Sequence, residues 1–63
     1  MDVTDFLSKA ENITGTIKIV NAGDYTDVKE YSGDDINTVI AEYGIAYVFS
    51  FKITPDGITI YCE

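Results

Sequence analysis

The stretch Ser32-Gly33-Asp34-Asp35-Ile36-Asn37-Thr38-Val39-Ile40-Ala41-Glu42-Tyr43-Gly44-Ile45-Ala46-Tyr47-Val48-Phe49-Ser50-Phe51-Lys52-Ile53 changes period in its middle. Up to Tyr43 the apolar residues Ile36, Val39, Ile40 and Tyr43 recur at i, i+3, i+4 and i+7, the stripe of an amphipathic helix. Ser32 is placed to cap that helix, with Asp35 three residues on as a shortened capping box. Gly44 stands where a left-handed C′ glycine closes a helix, and Ile45 where the usual hydrophobic closing contact is made. Beyond Gly44 the period drops to two: Ile45, Tyr47, Phe49, Phe51 and Ile53 share one face of a strand, and Ala46, Val48, Ser50 and Lys52 share the other.

Toward the C-terminus, Thr54-Pro55-Asp56-Gly57 predicts a type I turn, with proline preset for its second position. Ile58 to Cys62 is the returning strand, with Ile58, Ile60 and Cys62 on one face. Toward the N-terminus, Tyr25 to Tyr31 carries Asp27, Lys29 and Glu30, the charge by which proteins protect a sheet edge, and is expected to be an edge strand. Asn21-Ala22-Gly23-Asp24 predicts a hairpin loop of three to five residues with Gly23 left-handed. Residues 15–20, rich in β-branched side chains, form the strand before it. Residues 2–11 predict a first helix through Val3, Phe6, Leu7 and Ala10, with Asp2 and Asp5 at its positive end and Lys9 near its negative end. Asn12 or Gly15 ends it.

The predicted order is α-β-β-α-β-β. Residues 1–63 form a single acidic α+β domain, a small two-layer sandwich with a four-stranded, mainly antiparallel sheet and two helices on one face. Both helix stripes are expected to pack on the face carried by Tyr47, Phe49 and Phe51. The strand order is open.

Size, charge and residue types exclude much chemistry. A chain of 63 residues buries only about 60% of its unfolded surface. One cysteine, Cys62, permits no intrachain disulfide, and no histidine is present for a thiolate–imidazole zinc site. Without histidine a nucleophile lacks its usual base. Acids near Cys62 raise rather than lower its thiol pKa, and it reads as a small core residue. Asp34-Asp35, the adjacent acid pair, sits where a helix start favours acids. Asp24, Asp27 and Glu30 are spaced by three, not by the two of a calcium loop. No enzymatic activity, cofactor or resident metal is expected. The acidic N-terminus and the lack of a long apolar run predict a soluble cytoplasmic protein.

Eleven acids oppose four lysines, a net charge of −7, which disfavours direct binding to nucleic acid or to an anionic membrane. The acids are concentrated. Asp24, Asp27, Glu30, Asp34, Asp35 and Glu42 lie within one segment, interrupted by Lys29 alone and interleaved with Tyr25, Tyr31 and Tyr43. One reading is a solvated surface. The sharper one is a ribbon that fits a basic groove on a protein partner, with tyrosines as anchors. Asp24, Tyr25, Asp27, Glu30, Tyr31, Asp34, Asp35 and Glu42 are the candidate partner-binding residues. In size and charge the chain resembles small acidic phage and mobile-element proteins that block restriction or CRISPR nucleases. That resemblance implies a nucleic-acid mimic inhibiting a nuclease or another nucleic-acid-binding protein. The alternative is an accessory or homodimerising module. It would use the sheet face opposite the helices, where Val48, Thr59 and Tyr61 are expected beside Ala46, with Lys18, Val20 and Lys52.

Overall fold

A computed structural model describes residues 1–9 and 13–63. Asp2 caps the first helix by accepting a hydrogen bond from the Asp5 N–H on its Oδ1, at 2.8 Å. Helix α1 runs Val3–Ser8, with Lys9 as its C-cap. The expected stripe residue Ala10 and the expected stop at Asn12 lie outside the described residues. Then follow β1 (Thr16–Asn21), β2 (Asp24–Ser32), a 3-10 turn (Gly33–Asp35), α2 (Ile36–Tyr43), β3 (Val48–Thr54) and β4 (Gly57–Cys62). The order α-β-β-α-β-β is the predicted one.

The sheet has the spatial order β2-β1-β4-β3. The two hairpins, β1–β2 and β3–β4, are antiparallel, and they join through a parallel pairing of β1 with β4, so the sheet is mixed. Thr16 pairs with Gly57 and Asn21 with Cys62 across that seam. Backbones approach closely at its start: the Thr16 N–H donates to the Asp56 carbonyl at 2.7 Å. A methyl on Gly57 would come within 2.1 Å of the Thr16 carbonyl oxygen, and Gly57 has φ +143°, so only glycine fits there.

The core lies between the two central strands and the helices. Ile17, Ile60, Val3 and Val39 are fully buried, with Leu7, Ile19, Ile58 and Cys62 around them. Burying one such aliphatic side chain is worth about 1.5–3 kcal/mol, so these few residues hold the domain together.

Several expectations are corrected. The helices do not pack chiefly on Tyr47, Phe49 and Phe51, which stay 55%, 57% and 53% exposed. β3 is an edge strand, and α1, at six residues, is only about 9 Å long against roughly 23 Å of strand. Among the described residues of α1, Phe6 reaches over, its ring 4.9 Å from that of Phe51. The alternation through β3 is also broken by a bulge between Val48 and Ser50. An extra residue shifts the parity of side chains. Val48 therefore pairs with Cys62 and packs against the core, as does Ala46, while Ser50 pairs with Tyr61 on the open face.

Gly44 is not left-handed: its φ of −54° and ψ of −34° are those of a right-handed helix. Its value is closeness to α1, since the Gly44 carbonyl accepts from both the N–H and the Oγ1 hydroxyl of Thr4 and a methyl there would meet Thr4 Oγ1 at 2.6 Å. Ile45 closes nothing and is 97% exposed. Gly23 is not left-handed either; the hairpin loop is the shorter pair Ala22-Gly23, and the Gly23 N–H is taken by Asn21 Oδ1 at 2.8 Å. Ser32 accepts from the Asp34 N–H, and Asp35 makes no capping bond through its side chain.

Candidate functional site

The acidic segment folds into one rim of the molecule. β2 is an edge strand, as its charges predict, and every residue from Asp24 to Glu30 is exposed. The 3-10 turn then places Asp34 and Asp35 at the entry to α2, and Glu42 lies in its last turn. All six acids are exposed.

Strand alternation divides them. On the helix side, Tyr31 pairs with Ile17 and Lys29 with Ile19. Asp27 lies there too, receiving the Asn21 amide at 3.5 Å and lining a small depression of about 140 Å³ with Tyr43 and Cys62. On the open side, Glu30 pairs with Lys18, whose Nζ sits 3.8 Å from its carboxylate. Tyr25 also turns to the open side, its ring 5.5 Å from that of Tyr61. Asp24 at the hairpin end accepts from both the N–H and the hydroxyl of Thr26, and these bonds hold its carboxyl below the usual range. The candidate residues thus line the rim on both sides of one strand rather than forming a flat face.

One cluster ties β2 to α2. The Tyr31 hydroxyl donates to Glu42 Oε2, and the Tyr31 ring meets that of Tyr43 edge-on at 6.2 Å. Donation to the Glu42 carboxylate, with a further contribution from Tyr43, raises the Tyr31 phenol well above its ordinary range. This link joins two residues eleven apart on different elements, and neither the strand nor the helix period signals it.

The open sheet face differs from expectation. Thr59 and Tyr61 do lie on it, with Lys18, Val20 and Lys52, but Val48 does not. Thr59 and Val20 are buried even so, and Tyr25 shields Tyr61. The lysines make this face less acidic than the rim.

Sequence reasoning missed a groove on the helix side of β3. Met1, Phe6, Phe49, Phe51 and Ile53 line about 670 Å³ of open, apolar space, with Lys9 beside it. The signal that could have found it is the mismatch between a short first helix and a long aromatic strand.

Cys62 is a buried free thiol whose pKa is raised by burial. Among the described residues no group of three or more Cys, Asp and Glu side chains is arranged to hold a metal ion, and no helix is long and apolar enough to cross a membrane. No family model matches the chain, and neither a curated protein nor a solved structure matches it.

Proposed function

We propose that this chain is a non-catalytic binding protein whose acidic rim occupies a basic, nucleic-acid-binding groove on a protein partner. A nuclease of the restriction or CRISPR kind is the concrete form of that partner. The observation that carries the reading is the exposure of Asp24, Asp27, Glu30, Asp34, Asp35 and Glu42 along one edge strand and the helix that follows it. A row of carboxylates on a narrow rim offers the charge sign and the elongated shape that such grooves accept. Tyr25, 69% exposed, supplies an aromatic contact at the hairpin end.

The test is titration of the protein against purified restriction and CRISPR nucleases at low and high salt, with duplex DNA as competitor. Binding should weaken steeply with salt and be displaced by DNA. The triple substitution Asp34→Lys, Asp35→Lys and Glu42→Lys should abolish binding while circular dichroism shows the fold retained. Binding that ignores salt and survives the triple substitution would remove the reading.

A second reading, an assembly module, is favoured by a different surface from the one first expected. Phe49, Phe51 and Ile53 are exposed side by side on β3, whereas on the open face Tyr25 and Val28 are exposed and Val20 and Thr59 are buried.

A further inference from the structure

β3 ends the sheet, and its outer edge is only partly covered. Residues 1–3 lie along its start: the Val48 N–H donates to the Met1 carbonyl at 2.9 Å, and Asp2 bridges Tyr47. From Phe49 to Thr54 no described strand pairs with the outer side. Tyr47 and Glu63 exchange both hydrogen bonds, which fixes the alternation of the β3–β4 ladder. With Phe51 opposite Ile60 and Ile53 opposite Ile58, that alternation turns the N–H and C=O groups of Phe51 and Ile53 outward. The strand bears one charge, Lys52, and no acid.

We infer that this free edge pairs antiparallel with the same strand of a second copy, joining two four-stranded sheets across β3 and closing the apolar groove. Three observations select this occupant. The first is area. Met1, Phe49, Phe51 and Ile53, which line the groove, are 50%, 57%, 53% and 72% exposed. With roughly 150–250 Å² per large side chain, they leave on the order of 500 Å² of apolar surface per copy. Two copies together reach about 1,000 Å², the size at which a specific interface begins. The second is charge. Six of the eleven acids lie on the β2 rim, at the far side of the sheet, so two chains of charge −7 that meet along Phe49–Thr54 of β3 keep those six apart, while Asp2 and Glu63 beside Tyr47 leave a repulsion at the ends of the contact. The third is symmetry. Antiparallel pairing of one strand with itself is two-fold and closed, so it stops at a dimer.

This association differs from partner docking in its salt dependence. Screening weakens the repulsion between the two acidic chains, so added salt strengthens the dimer. Sedimentation equilibrium from about 1 μM to 1 mM should show a mass rising toward twice 6.9 kDa. Phe49→Lys with Ile53→Lys should weaken the association at least tenfold, whereas Tyr61→Lys on the open face should leave it unchanged. Independently of any variant, amide exchange at Phe51 and Ile53 in the natural chain should slow as concentration rises. A monomer across the whole range overturns the inference. So does a dimer in which those two amides gain no protection, or one that is lost through Tyr61→Lys alone.

Discussion

β2 and β3 both lie at the rim of the sheet, and they differ in what they offer to a passing chain. β2 presents Asp24, Asp27, Lys29 and Glu30 and has Glu42 of the neighbouring helix fastened to its Tyr31. β3 presents Phe49, Phe51 and Ile53 with Lys52 as its one charge. An apolar edge with few charges is a better template for another strand than one that carries several. In a domain this small the same sheet therefore separates two kinds of surface. One is acidic and exposed; the other is apolar, with the backbone groups of Phe51 and Ile53 turned outward.

Both edges depend on the centre. Ile60→Ala, in a fully buried position on β4, should cost about 2–5 kcal/mol in denaturant unfolding, and both edges should be lost in one transition. Phe49→Ala should cost less than about 1 kcal/mol by the same measurement in dilute solution, because the side chain is already largely in water. A Phe49 cost as large as that of Ile60 would mean that β3 is part of the core and not a free edge.

The β2 side can be probed through Tyr31. Its phenol is raised in the folded chain, so the bond to Glu42 contributes stability at pH values below the ordinary tyrosine value of about 10 and loses it as pH rises through the higher folded value. Glu42→Gln should lower the titration midpoint of Tyr31, followed by ring resonances, and narrow the stability difference from the natural chain in alkali. An unchanged midpoint would separate Tyr31 from Glu42. The smallest effect belongs to Glu30→Gln, which breaks an exposed pair with Lys18 and should cost no more than about 1 kcal/mol in thermal unfolding, vanishing at high salt.

These differences mark where the sequence speaks and where it does not. α2 is legible because Ile36, Val39, Ile40 and Tyr43 are set by helical period alone, and β4 because Ile58, Ile60 and Cys62 share one face. The status of β2 as an edge is legible because charge on both sides of a strand fits nowhere else. The status of β3 is not. A strand of alternating aromatics looks like the middle of a sheet, and only the parallel seam of β1 with β4 pushes it to the rim. The bulge beside Phe49 leaves no mark in composition, yet it carries Val48 to the opposite face. Gly44 was legible as special but for another reason, since contact with Thr4 depends on where α1 comes to rest. At the candidate site the clustering of acids is plain in the chain. Their division between two sides of β2, and the joining of Tyr31 to Glu42, follow from register and packing.

The parallel seam has a kinetic meaning as well. Each hairpin closes between neighbours in the chain, but β1 waits for β4, whose last paired residue is Cys62. Contacts so distant in sequence are slow to form, because a long loop must close before they give anything back. During synthesis the first hairpin emerges before Ile58 and Ile60 of β4 and Val39 of α2, so of the core cluster around Ile17 and Ile19 only Val3 and Leu7 of α1 are already made. A side chain introduced at Gly57, where the two hairpins meet, should therefore slow folding more than it speeds unfolding, as read from the two arms of a denaturant chevron.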